Sequence, residues 1–251
     1  MKNLIRKISR VLGIKAEKKS IDSIHESLVK LDTPFRNLLL SLYQEAPQKG
    51  LDNQLHQLDG ETKISIEQGL WLYEFCISKK PASTLEIGMA YGYSTLFFLA
   101  AAAKNHKGQH TAIDPFQKTH WKGIGLSLAM ECTPKMEGKA IFQLIEDYSD
   151  RTASDIIRRG HKFDIVFIDG NHRFDDVLVD FYLYAQVCTV GGWIILDDMW
   201  MPSIKTVVNF IRSNRKDFIE LPTNISNIAV FRKVGDDTRK WDEFSAFPVA
   251  K

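Results

Sequence analysis

The chain has 251 residues, enough to bury a full core as one large domain or as a domain with an appendage. Its 33 Lys and Arg balance 31 Asp and Glu, so the total charge points to neither a nucleic-acid partner nor a polyanionic substrate. Cys76, Cys132 and Cys188 have no CxxC spacing, which argues against a disulfide framework or a zinc site and fits a reducing cytoplasm.

Residues 1–19, MKNLIRKISRVLGIKAEKK, lack the continuous apolar segment and cleavage site of a signal peptide. Leu4, Ile5, Ile8, Val11 and Leu12 share one helical face, with Lys2, Arg6, Lys7 and Arg10 around it. The pattern predicts an N-terminal helix that docks on its own domain or on a second subunit of a homo-oligomer; contact with a membrane surface is the alternative. The longest apolar run, Leu96 to Ala103, falls well short of the roughly 20 residues that cross a bilayer.

Helical spacing continues in IHESLVKLDTPFRNLLLSLYQEA and in ISIEQGLWLYEFCISKK, separated by a polar loop with Gly50 and Gly60. Residues 1–64 are thus a helical lead-in or cap. From Pro81 onward, short apolar runs alternate with helical segments, the pattern of βαβ units on a mostly parallel sheet. Strands are expected at STLEIG, HTAID, AIFQLIE, FDIVFID and GWIILDD, and the helices between them include Ser94–Lys104, Asp175–Val187 and Pro202–Ser213. DFIEL and SNIAVFRK, separated by PTNI, predict an antiparallel pair at one sheet edge. The fold class is α/β: a doubly wound, mostly parallel, seven-stranded sheet within residues 65–234, followed by a polar, aromatic-bearing tail at 235–251.

Ligands of such open sheets sit outside the carboxyl ends of the strands. Every strand placed here ends in an acid: Glu86, Asp114, Glu146 with Asp147, Asp169, and Asp197 with Asp198. The first strand runs into EIGMAYGYS, where Gly88 and Gly92 permit a tight strand-to-helix turn and close approach of a ligand to the backbone. Met89 and Ala90 offer no middle glycine for a dinucleotide pyrophosphate. Asp114 is suited to accept hydrogen bonds from two ribose hydroxyls, which favours a nucleoside without a pyrophosphate.

On these residues the chain resembles the class I S-adenosylmethionine-dependent methyltransferases. LEIGMAYGYSTL is similar to their first motif, and Asp114 to the ribose-binding acid of their second. The resemblance covers roughly residues 65–233, and IDGNH and DD resemble the bacterial metal-dependent small-molecule O-methyltransferases. It implies a Rossmann-like sheet with an antiparallel edge hairpin and S-adenosyl-L-methionine as cofactor. Glu86, Gly88 and Gly92 would line the methionine and ribose part, Asp114 the ribose hydroxyls, and Asp147, Tyr148 and Ser149 the adenine. Asp147 has helix capping as an alternative role.

Acids ending two neighbouring strands can meet across about 4.8 Å, and they repel unless a cation such as Mg²⁺ lies between them. Such a metal, touching the acceptor oxygen, would lower its pKa and align it with the methyl group. The resemblance supplies Asp169, Asp197 and Asp198 as ligands. Successive strand residues point to opposite faces, so Asp197 and Asp198 can share one ion only if the chain turns there; capping of the following helix is the alternative. His172, three residues past Asp169, is the candidate general base, with metal ligation or loop anchoring as alternatives. Asp169 joins it as a catalytic candidate. Relatives more often carry an acid where Asn171 stands, so a base assigned to that acid does not transfer.

Trp200 and Met201 are candidates for an apolar acceptor wall, His120 and Trp121 for a loop closing over the site, and Gln68 and Trp71 for contacts from the preceding helix. The expected activity is cytoplasmic O-methyl transfer to a small hydroxylated acceptor, a sugar or glycoconjugate by subfamily analogy. The rivals are a metal-independent methyltransferase, a nicotinamide oxidoreductase and a nucleoside-binding module without catalysis.

Overall fold

Seven strands form one sheet: β1 (Ser83–Ile87), β2 (Gln109–Ile113), β3 (Phe142–Ile145), β4 (Phe163–Ile168), β5 (Cys188–Leu196), β6 (Phe218–Leu221) and β7 (Ala229–Lys233). Their order is β6-β7-β5-β4-β1-β2-β3, with β7 alone running against its neighbours. This is the doubly wound α/β sheet with an antiparallel edge pair that the sequence predicts. The computed structural model describes residues 21–133, 135–136 and 139–250, so the expected helix within residues 1–19 lies outside the described residues. Among these, no helix is long and apolar enough to cross a membrane.

Three helices precede the sheet: α1 (Ile21–Leu28), α2 (Thr33–Tyr43) and α3 (Ile66–Lys79). A short hairpin, Gln48–Lys49 against Leu55–His56, lies in the polar loop between α2 and α3. Ser65 and Gln68 close a capping box at the start of α3, which satisfies backbone donors that the first turn leaves free. Later come α4 (Tyr93–Lys104), α5 (Ile124–Cys132), α6 (Ser149–Arg158), α7 (Phe174–Tyr184) and α8 (Pro202–Asn214).

Two of these helices escape the sequence pattern. IGLSLAMEC in α5 is apolar nearly all round and shows no stripe, whereas α6 buries only Thr152, Ala153 and Ile156. Helix α7 stops short of the expected Val187, because the amides of Gln186 and Val187 turn back onto the Leu183 and Tyr184 carbonyls. Strand β5 begins before the expected Gly192, at Cys188, with an irregular register between the Phe163–Cys188 and Ile165–Trp193 pairs. Gly191, at φ 89°, lies in that bulge.

Alternation along β1 divides the core into two layers. Leu85 and Ile87 pack with Val166, Ile168, Phe181 and Val207 on one face, whereas the other face packs Leu72, Phe97 and Phe98 from α3 and α4. Helix α4 is apolar all round because it is buried within that second layer. Gly69 brings α3 down onto α4; a methyl group there would lie 2.0 Å from the Phe97 ring. Each fully buried side chain of this size contributes about 1.5–3 kcal/mol.

One acid is buried beneath the carboxyl ends of β3 and β4. Asp180, on α7 and 3% exposed, accepts a 2.6 Å bond from Ser149 Oγ, and burial pushes its carboxyl up to about 7. A carboxyl raised above its unfolded value of about 3.9 weakens folding as pH climbs through the folded value, and has no such effect well below the unfolded one. Asp180→Asn keeps an oxygen for Ser149 and cannot ionise. It is expected to melt several degrees above the wild type at about pH 8, with the gap closing steadily toward pH 4; thermal unfolding across that range measures it.

Candidate active site

The parallel ladder brings five strand ends to one level. Gly88 N donates to Ile113 O (2.9 Å), Asp114 N to Ile145 O (3.1 Å), Asp169 N to Ile87 O (3.0 Å) and Asp197 N to Ile168 O (3.1 Å). Strand order reverses between β1 and β4, so this level is the switch point where open α/β sheets hold ligands. Gly88, at φ 89°, sits so close to β4 that a Cβ would meet Asp169 O at 2.1 Å. Gly92, at φ 86°, starts α4, and a Cβ there would meet Gly125 Cα at 3.1 Å. Both glycines are therefore demanded by backbone conformation and by packing.

Asp114 braces this turn. Its Oδ2 accepts from the amides of Met89 (3.1 Å) and Ala90 (2.8 Å) and from Gln117 Nε2 (3.3 Å), and its Oδ1 accepts from the amide of Phe116 (2.8 Å). The side chain is 3% exposed. Glu86 is wholly buried with its carboxylate directed at α4 and β2: it accepts from Ser94 Oγ (2.8 Å) and the Thr95 hydroxyl and lies 3.2 Å from His110 Nε2. His110 in turn stacks on Phe98 and meets Thr84 Oγ1 at 2.8 Å.

The residues after β3 divide between surface and interior. Asp147 Oδ1 accepts from the Tyr148 amide (2.7 Å), and Ser149 Oγ is held by Asp180. Tyr148 is exposed and meets the exposed ring of Phe116 edge-to-face at 5.8 Å, with Arg151 over its face at 4.8 Å. Phe116, two residues past Asp114, carries no sequence signal beyond its place after a strand. The pair offers an aromatic edge beside the glycine turn.

The acids cluster around His172. Its Nε2 lies 3.3 Å from Asp169 Oδ1 and 3.1 Å from Asp198 Oδ2. One ligand atom from each of Asp169, His172 and Asp198 falls within 4.8 Å of the others. The chain does turn between the two aspartates: Asp198 has φ 57°, a left-handed conformation that is uncommon outside glycine. The turn sends Asp198 to His172 and Asp197 the other way. Asp197 Oδ1 accepts from Gln68 Nε2 (2.6 Å), Asn227 Nδ2 (3.1 Å) and the Asp198 amide (2.7 Å). Burial raises the Asp169 and Asp197 carboxyls, and the Asp169 hydrogen bond raises the His172 imidazole.

Other candidates fall around this centre. Trp200, 58% exposed, donates from its indole to Asp198 Oδ1 (2.9 Å). Gln68 is both a capping residue and a partner of Asp197, whereas Trp71 stacks on Phe75 at 4.8 Å. Trp121 packs edge-on against Tyr91 of the glycine turn, with His120 against it. Met201 N closes a turn onto Asp198 O (2.8 Å). Sequence reasoning missed Asn227, in the β6–β7 loop, which also reaches Asp198 Oδ1 at 3.3 Å.

Residues 85–199 match the family model described as a methyltransferase domain. A stretch of 52 residues is 42% identical to an uncharacterized protein of Acanthamoeba polyphaga mimivirus, covering 19% of this chain and 24% of that protein. This match thus spans about a quarter of that relative's length. The structure superposes on that of the SAH-bound methyltransferase PaMTH1 of Podospora anserina with a TM-score of 0.56, at 18% identity over 70% of this chain and 82% of that one. For the O-methyltransferase TomG of Streptomyces achromogenes, involved in tomaymycin synthesis and solved with SAM, the TM-score is 0.58, at 17% identity over 88% and 100%. At these identities the likeness bears on the fold. Sheet order, glycine turn and family match coincide on one stretch of chain: residues 85–199 carry the match to a methyltransferase domain, on the sheet that these solved methyltransferases share.

Proposed function

We propose that the protein transfers the methyl group of S-adenosylmethionine to a hydroxyl of a small acceptor bound at His172. The observation that carries this reading is the position of His172 Nε2 between Asp169 and Asp198, beside the turn formed by Gly88 and Gly92. Solved relatives of the same fold are described with SAH or SAM bound, which supports the cofactor. In the step itself, an oxygen–methyl bond forms as the methyl–sulfur bond breaks. The electron pair returns to sulfur, and the hydroxyl proton passes to His172 Nε2. Asp169 orients that imidazole and stabilises its charged form.

Asp169 and Asp198 would hold a divalent cation, with Asp197 behind them and His172 beside the ion as the base. Two carboxylates suit Mg²⁺ and Mn²⁺ alike. When bound, such an ion makes the acceptor hydroxyl more acidic. The metal-independent reading also has an observation in its favour, because the His172 imidazole already stands between both carboxylates. A sugar or glycoconjugate is the acceptor class that the subfamily resemblance favours.

The Glu86 and Asp114 carboxylates act on the cofactor through the turn they support, with Phe116 and Tyr148 at its adenine end. Asp114→Ala is expected to weaken S-adenosylhomocysteine binding, because the turn loses the carboxylate that holds the Met89 and Ala90 amides in place, and titration calorimetry reads this directly. Unchanged affinity would remove the cofactor from this turn.

Asp169→Asn and Asp197→Asn are expected to abolish transfer, followed as S-adenosylhomocysteine released over a panel of hydroxylated acceptors, while calorimetric affinity for the cofactor stays nearly intact. EDTA should inhibit the wild type reversibly; activity indifferent to EDTA would select the metal-independent reading. His172→Ala is expected to retain the metal and slow transfer by roughly 10²- to 10⁴-fold, the usual contribution of a general base. A variant that no longer binds Mn²⁺ would instead make His172 a ligand.

A further inference from the structure

A groove of about 370 Å³ opens beside the acid centre, lined by Phe174, Pro202, Ser203, Thr206, Phe247, Val249 and Ala250. Two of its walls are the first turns of α7 and α8, the helices that leave the acid-bearing strands β4 and β5. Phe174 follows His172 by two residues, and Ser203 Oγ donates to the His172 carbonyl at 2.7 Å. The groove is therefore built on the loop that carries the proposed base.

The third wall is the C-terminal tail, which runs back along α8 toward its N-terminus. Asn214 Nδ2 donates to Ser245 O (2.8 Å) while its Oδ1 accepts from the Ser245 amide (2.8 Å). Asn209 Nδ2 donates to Pro248 O (2.9 Å), and the Ala250 amide donates to Thr206 Oγ1 (3.1 Å). Phe247 packs edge-on against Phe210 at 5.5 Å. Four hydrogen bonds and an aromatic contact hold a segment without secondary structure of its own. They carry Phe247, Val249 and Ala250 to the groove.

The lining decides the chemistry of the occupant. Both hydroxyls in the groove are already engaged: Ser203 donates to His172 O, and Thr206 donates to Pro202 O (2.7 Å) while accepting from Ala250. No charged side chain lines it, and Phe174 and Val249 stand 39% and 74% exposed. A polar ligand would lose hydration there without gaining a partner, whereas an apolar one would cover that surface.

We propose that this groove holds an apolar arm, aliphatic or aromatic, of the molecule whose hydroxyl is methylated. The proposal rests on the methyl-transfer reading for its substrate role, and it makes the tail a specificity element lying outside the matched domain at residues 85–199.

The test uses the full chain saturated with S-adenosylhomocysteine and a series of n-alkyl β-D-glucosides, from methyl to octyl, titrated by ligand-observed NMR. Affinity is expected to rise about four-fold per methylene until the groove is filled, as burial of each CH₂ group implies. Val249→Asp should flatten that rise while leaving S-adenosylhomocysteine affinity and melting temperature unchanged. Phe247→Ala, which removes bulk without adding charge, should flatten it in part. Binding that ignores chain length, or a rise that survives Val249→Asp, would overturn the proposal. So would a concentration-dependent dimer in sedimentation that Val249→Asp disperses, since the groove would then be a contact between copies of the chain. A length-dependent rise without methylation of any acceptor would leave the groove standing and remove the methyl-transfer reading. Methylation with a flat series would remove the groove alone.

Discussion

The site depends on how closely β1 and β4 approach at their carboxyl ends. With the Asp169 carbonyl 2.1 Å from where a Cβ of Gly88 would stand, any side chain there would part the two strands and separate the glycine turn from the acids. The approach has a local cost in the turn, where Ala90 takes a left-handed φ of 47°. Such a conformation costs a residue with a side chain roughly 1–2 kcal/mol. Asp114 outweighs it, since each of its charged hydrogen bonds to the Met89 and Ala90 amides contributes about 1.5–3 kcal/mol. The acid that ends β2 thereby sets the shape of the loop that ends β1.

A second constraint is the repulsion among Asp169, Asp197 and Asp198. Two full charges 4 Å apart at a protein surface repel by about 4 kcal/mol, too much to leave three acids side by side. The left-handed turn at Asp198 resolves this by sorting them. Asp197 is turned to amide donors from Gln68 and Asn227, whereas Asp169 and Asp198 converge on His172. The convergence keeps a positive centre in demand: the His172 imidazole, when protonated, would satisfy it, and so would a divalent ion between the two carboxylates.

Strand ends and the glycine turn were legible in the sequence because each is a local pattern: a period-two apolar run closed by an acid, or glycines at a fixed offset. The parallel sheet followed from the alternation of elements, and the edge pair from two β-rich runs set close together. Helices α5 and α6 were not legible, since one lacks a polar face and the other sets a narrow apolar stripe, Ala153, Ile156 and Ile157, in an otherwise polar run. Within the site, the sequence shows that two aspartates are adjacent but not which one the backbone turns toward His172; that depends on φ at Asp198. Nor does it show that Asn227 returns to the acids, because the contact closes through the β6–β7 pairing and leaves no local mark.

The matched stretch and its flanks divide the work. Gly88, Asp114, Asp169, His172, Asp197 and Asp198 all fall within residues 85–199, so the groups assigned to cofactor and chemistry belong to the shared domain. The donors that restrain Asp197 come from outside it, Gln68 from α3 and Asn227 from the edge hairpin. The tail on α8 lies outside it as well. Side chains at strand ends are pinned by sheet register and can shift little without disturbing the ladder. A helical lead-in, a hairpin loop and a strap are held by a few side-chain bonds and can be exchanged with the sheet intact. On the proposed function, the sheet fixes where a methyl group would be transferred, and the pieces laid over its edge would shape which acceptor presents a hydroxyl there.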